Sequence, residues 1–198
     1  TITDLPRPGN LAARGITKPE RIGIAWDASL SRSRADKTRE LAILARLLEA
    51  AGDVDVDVVL VRNDVSAPRT FKVVGGQAGA IVRYIKEAPC DGGTDLRRVR
   101  FARAKYDYWL FFSDGLSTLG EGMPTEIAAR VFAVNGAATA NHGFLRYVAE
   151  SSGGAYFNLS EVSDDEVVRR LSAPGDAEVV FVGATYDKEK VADVTPTI

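Results

Sequence analysis

The chain is poor in the residues that most often announce chemistry. Its 198 positions hold one cysteine, Cys90, and one histidine, His142. A single thiol excludes an internal disulfide framework. The lone imidazole, at an expected helix start in "NHGFL", has no neighbouring nucleophile or acid motif and reads as structural or surface. Charge of one sign is also lacking: 25 basic residues stand against 27 acidic ones, a formal net charge of −2. That balance argues against nucleic acid or a membrane surface as the main partner. No apolar run approaches the roughly 18 residues of a membrane-crossing helix, and no signal-peptide pattern is present. The glycine-rich "VVGGQAG" (73–79) fits neither dinucleotide nor P-loop spacing, so no phosphate cradle is expected.

What is present is an ordinary globular composition, 45% hydrophobic, in a chain long enough to bury one good core. Apolar strands alternate with amphipathic stretches. "IGIAW" (22–26), "VDVDVVLVR" (54–62), "YDYWLFF" (106–112), a segment near 130–134, "AYFNL" (155–159) and "AEVVFVG" (177–183) read as strands. Helical periodicity is expected over 37–52, 78–88, 142–154 and 163–171. The stretch between 62 and 78, with Pro68, reads as loop. "LRRVRFARA" (96–104) reads as a basic, solvated helix face, and Cys90 as a passive thiol. This order predicts an α/β fold, doubly wound, with a mostly parallel central sheet and helices on both faces. The expected organisation is an extended segment over 1–20, a domain over 21–172, and a strand and tail over 173–198. Both ends look like connections within a larger protein, and a soluble domain in an extracytoplasmic setting is one expectation.

In such a sheet, ligands gather beyond the carboxyl ends of the strands. Three polar clusters fall there: Asp27, Ser29 and Ser31 in "WDASLSR"; Thr94 in "GGTD"; and Asp114 in "FFSDG". If the first loop is extended, residues two apart project to one side, converging one carboxylate and two hydroxyls. The plainer alternative is a turn that caps a helix, since Ser and Asp are good cap residues and Asp-Gly is a common turn. As a set the five are hard oxygen donors of the kind that suits Mg²⁺, with Mn²⁺ or Ca²⁺ as alternatives.

"WDASLS" after a first strand, "GGTD" before a later helix and "FFSDG" at the end of the next strand resemble the von Willebrand factor A domain, over about 21–171. The likeness is to bacterial A domains found with vault-type inter-α-trypsin (VIT) domains, whose Gly-Gly before an aromatic strand is matched by "SSGGAYFNL". The resemblance implies a metal-ion-dependent adhesion site (MIDAS) formed by Asp27, Ser29, Ser31, Thr94 and Asp114. It further implies that Ser29 and Ser31 bind the ion directly. Thr94 or Asp114 would alternate between direct and water-mediated contact, with Asp27 orienting water and hydroxyls. A protein partner would supply a carboxylate to the open position, and no catalysis would be needed. The chain departs from the pattern at Leu30, in place of the usual glycine, and at Arg32, in place of a hydrophobic residue. Arg32 and Arg34 are expected on the rim, favouring an acidic partner. The competing expectation is a metal-dependent phosphoryl-transfer or hydrolytic enzyme with Asp27 as nucleophile or ligand.

Overall fold

The computed structural model describes residues 18–33, 35–120 and 122–172. Residues 1–17, Arg34 and 173–198, with the strand expected at 177–183, lie outside them. The elements run β1 (Arg21–Asp27), α1 (Thr38–Ala51), β2 (Val54–Val61), β3 (Arg69–Val73), α2 (Gly79–Glu87), β4 (Arg100–Phe101) and β5 (Tyr108–Phe112). There follow β6 (Glu126–Ile127), β7 (Val131–Asn135), α3 (His142–Ser151), β8 (Ala155–Asn158) and α4 (Asp164–Ser172).

Every residue of β1 from Ile22 onward is buried, as are all of β5 and β7. Strands apolar on both faces belong inside a parallel sheet covered above and below. The main sheet has the order β3-β2-β1-β5-β7-β8, with β3 antiparallel to β2 and every other pairing parallel. The chain leaves β1 toward β2 on one side and later returns to place β5 on the other. The crevice where the winding reverses therefore opens at the carboxyl ends of β1 and β5. Asp27 ends the first of these strands, and Ser113-Asp114 follow the second.

One face of the sheet is covered by α1, α2 and α4, which send Ile43, Leu44, Leu48, Ile81, Ile85 and Val167 into the core. Fully burying such a side chain stabilises the fold by about 2 kcal/mol. On the other face, α3 contributes Phe144, Leu145 and Val148, and the segment before β5 adds Leu96, Val99 and Phe101. Helices thus lie on both faces, as expected. At Gly23, a Cβ would stand 2.3 Å from the Trp109 ring, so the aromatic strand can close onto β1 only over a bare backbone.

Two expectations are corrected. Residues 96–104 do not form a helix: Leu96–Arg98 make one 3-10 turn and Arg100–Phe101 a short strand parallel to β6. Val99 and Phe101 are buried while Arg100 is exposed, a period-2 pattern suited to strand rather than helix. Asp95 holds the turn by accepting hydrogen bonds from the Arg97 backbone N–H and guanidinium. The basic residues are solvated as expected, and Arg98 and Arg100 pair with Asp64 and Glu126. The stretch read as loop between 62 and 78 contains β3, an edge strand. Its exposed Arg69 and Lys72 obscure the pattern, and charged residues are what keeps an edge from pairing with another chain.

Candidate metal site

β1 delivers Asp27 to the crevice with its side chain fully buried. Asp27 Oδ1 accepts from the Ser29 N–H (3.0 Å), and Oδ2 accepts from Ser113 Oγ (2.6 Å). Beyond it the loop is not extended. Ser29 is extended (φ −73°, ψ 167°), but Leu30–Arg32 close a 3-10 turn, and the Arg32 N–H donates to the Ser29 carbonyl at 3.0 Å. The two serines still meet, with their hydroxyl oxygens 3.0 Å apart. Convergence comes from the turn rather than from strand-like alternation, so the turn and the oxygen cluster are the same structure. From the neighbouring strand end, Asp114 Oδ2 accepts from Ser31 Oγ (2.8 Å), and its Oδ1 accepts from the Leu116 N–H (3.0 Å).

Thr94 arrives on a third loop. Gly92 has φ +68°, a conformation that a side chain resists, and a Cβ at Gly93 would lie 2.6 Å from Thr118 Oγ1. These glycines let the loop lie against the first one: the Leu30 N–H donates to the Gly92 carbonyl (3.0 Å) and the Asp91 N–H to the Ala28 carbonyl (3.2 Å). The Thr94 backbone is held from both sides, its N–H by Thr118 Oγ1 (2.8 Å) and its carbonyl by the Thr118 and Leu119 N–H groups (3.0 Å each). Its side chain is fully buried, and Oγ1 has no hydrogen-bond partner. A cavity of about 420 Å³ is lined by Ser29, Leu30, Ser31, Thr94 and Thr118 over the Gly92-Gly93 turn. Ser29, Ser31 and Thr94 thus line one cavity, with Asp27 hydrogen-bonded to Ser29 and Asp114 to Ser31.

The buried Arg32 guanidinium interacts electrostatically with Asp27 and Asp114, but its hydrogen bond and ion pair go to Glu40. Burial pushes the Asp27 carboxyl up, hydrogen bonds from Ser113 and Ser29 pull it back, and the charge of Asp114 pushes it further. Among the described residues no three of His, Cys, Asp and Glu gather at one point, so the donors are two carboxylates and three hydroxyls. That set suits a hard divalent cation.

Arg32 does not stand on the rim as expected, while Arg34, the other arginine expected there, lies outside the described residues. The Arg32 side chain is 1% exposed and turned inward, where it donates to Glu40 Oε2. Glu40 Oε1 in turn accepts from the Gly136 N–H (2.8 Å), tying the first loop to α1 and to the end of β7. A guanidinium can replace an apolar residue in the core only when a partner meets it, and Glu40 is buried beside it. Sequence reasoning also passed over Ser113, which bridges Asp27 to the Gly115 N–H at 2.9 Å. Its position directly before Asp114 at a strand end was the available signal. Cys90 is partly buried, with Lys37 Nζ 2.9 Å from its sulfur. His142 Nδ1 lies 2.7 Å from the Tyr156 hydroxyl on the surface, remote in sequence from every cluster above.

Solved structures resemble this arrangement of strands and helices. The ArnB paralog VWA2 from Sulfolobus acidocaldarius matches with a TM-score of 0.57 and 14% identity, over 80% of this chain and 45% of that one. A von Willebrand factor type A protein from Catenulispora acidiphila gives 0.54 and 11%, over 79% and 42%. Proximal thread matrix protein 1 from the mussel byssus, described with a zinc-occupied MIDAS motif, gives 0.54 and 14%, over 77% and 46%. The chain spans less than half the length of each of these three proteins. No protein-family model and no curated protein matches the sequence. At these identities the likeness is one of fold.

Proposed function

We propose, from the von Willebrand factor type A fold that this chain shares with those structures, that it is a Mg²⁺-dependent protein-binding module within a larger protein. Ser29, Ser31 and Thr94 would hold the ion through their hydroxyls. Asp114 would approach it directly or through water, and Asp27 would orient the surrounding hydroxyls. The ion would supply a Lewis-acidic point for a carboxylate from a protein partner. The observation that carries this reading is Thr94 Oγ1, a buried hydroxyl without a partner on the wall of the cavity shared by Ser29 and Ser31. A buried polar atom left unmet costs free energy, and a cation in that cavity would meet it. The crowding of Asp27 and Asp114 points the same way, since a bound cation would relieve it. The mussel protein with zinc in its MIDAS motif supports a metal at this place in the fold. That VWA2 and the Catenulispora protein extend well beyond the matched region supports a part in a larger protein.

Binding fits the geometry better than turnover. Both oxygens of Asp27 accept hydrogen bonds, from Ser113 and from the Ser29 N–H, which suits an orienting role. The nearby guanidinium, Arg32, is committed to Glu40 rather than presented to a ligand. No helix among the described residues is long and apolar enough to cross a membrane.

Calorimetric titration with Mg²⁺ and Mn²⁺ tests the reading. The parent is expected to bind, and Asp27→Ala and Ser29→Ala to lose that binding. Absence of any ion response in the parent contradicts it. Turnover of a phosphate ester that disappears with Asp27→Ala would establish the enzyme instead.

A further inference from the structure

We infer that the partner segment entering this site carries its carboxylate between large apolar side chains; this rests on the metal-dependent reading above. Five large apolar side chains are well exposed among the described residues, and two of them, Leu30 (62%) and Leu119 (50%), stand at or beside this cavity. Leu30 forms part of its wall. Leu119 lies over Gly93, its Cγ 2.8 Å from where a Cβ on that glycine would stand.

Both leucines are fixed before any partner arrives. The Leu30 N–H is tied to the Gly92 carbonyl and the Leu119 N–H to the Thr94 carbonyl, each at 3.0 Å. Both backbones are therefore anchored to the loop that presents Thr94, and little backbone freedom is left to lose on binding. Among the described residues, the charged groups near the mouth are already paired. None of the cavity-lining side chains is charged. Nearby, Asp91 pairs with Arg62 at 2.8 Å, and Asp95 with Arg97 at 2.8 Å. Arg32 faces inward. A ligand's single negative charge has the ion to meet it, while the residues flanking that charge meet leucine. Covering apolar surface held rigidly beside a polar anchor is the usual source of selectivity in such a site. The departure at Leu30 thus sets preference by apolar contact, and the departure at Arg32 does not act on the ligand.

The test uses the full chain and two end-blocked synthetic peptides in saturating Mg²⁺. One carries a single glutamate between phenylalanine and leucine, and the other carries the same glutamate between serines. The parent is expected to bind the apolar-flanked peptide about tenfold more tightly, the scale for covering one leucine-sized contact. Leu30→Ser combined with Leu119→Ser should bring the two affinities together, each measured at a Mg²⁺ concentration that calorimetry shows to saturate the variant; both side chains are exposed, so folding is not at stake. Equal affinities in the parent, no binding of either peptide, or discrimination that survives the double substitution overturns this inference alone if Mg²⁺ still binds. Failure of the parent to bind Mg²⁺ overturns the metal-dependent reading and this inference with it.

Discussion

Asp27 and Asp57 stand in neighbouring parallel strands, both with essentially no exposed surface, and the protein treats them in opposite ways. Asp57 is closed. It accepts from the Thr70 and Tyr106 hydroxyls at 2.5 and 2.8 Å and is paired with Arg21 at 3.2 Å and Lys105 at 3.4 Å. Burial pushes its carboxyl up, but the hydrogen bonds of Thr70, Tyr106 and Lys105 outweigh that and hold it below its usual range. Asp27 is met only by neutral donors, has a second carboxylate beside it, and is pushed up. One acid pins strands together and is complete. The other is held in place by neutral hydrogen-bond donors beside a second carboxylate, which fits the proposed cation site. Burial of an acid alone does not separate the two roles; the identity of its partners does.

The comparison can be broken in several ways, beginning with the largest expected effect. Arg32→Met leaves Glu40 charged in the core and should cost about 3–5 kcal/mol in urea unfolding. Adding Glu40→Gln should recover most of that loss, showing that Arg32 serves Glu40. Asp57→Asn removes the acceptor shared by two cations and should cost about 2–3 kcal/mol, with Mg²⁺ affinity unaltered. Asp27→Asn should behave oppositely. In EDTA its melting temperature should match or exceed the parent's, by up to about 1 kcal/mol of stability, while the Mg²⁺-induced shift disappears.

The smallest effect is one of pH. Asp95 is held down to about 2, first by its hydrogen bonds from Arg97. Its stabilisation, like that of Asp57, is present above the unfolded value of 3.8 and is lost as the pH falls through the folded value. Asp27 has the reverse sign. Without metal its ionisation opposes folding increasingly as the pH rises from 3.8 through its raised value. Unfolding in EDTA at several pH values should therefore show the advantage of Asp27→Asn over the parent growing from acid to neutral pH.

Much of this was legible in the chain. Hydrophobic runs such as "IGIAW" and "YDYWLFF" mark strands covered on both faces because burial on two sides requires unbroken apolarity. The positions of Asp27 and Asp114 follow from strand order, since topology carries strand ends to the crevice, whereas Thr94 lies on the loop that follows α2. What the chain concealed were features decided by contact. The exposed edge strand β3 is too polar to show a core-facing pattern. The arginines at 96–104 suggested a solvated helix while the buried partners alternated with a period of two. Arg32 looked like a surface charge because its counter-ion, Glu40, lies a full turn of chain away on α1. The unmet hydroxyl of Thr94 is likewise invisible until the walls around it are built.

The central claim is that Thr94 Oγ1 is kept free for an ion. Thr94→Val preserves the shape of the side chain and removes only that oxygen, which forms no hydrogen bond in the protein. Calorimetry with Mg²⁺ should show at least about a tenfold loss of affinity, while the melting temperature in EDTA stays level or rises. An unchanged Mg²⁺ affinity in Thr94→Val would contradict the account.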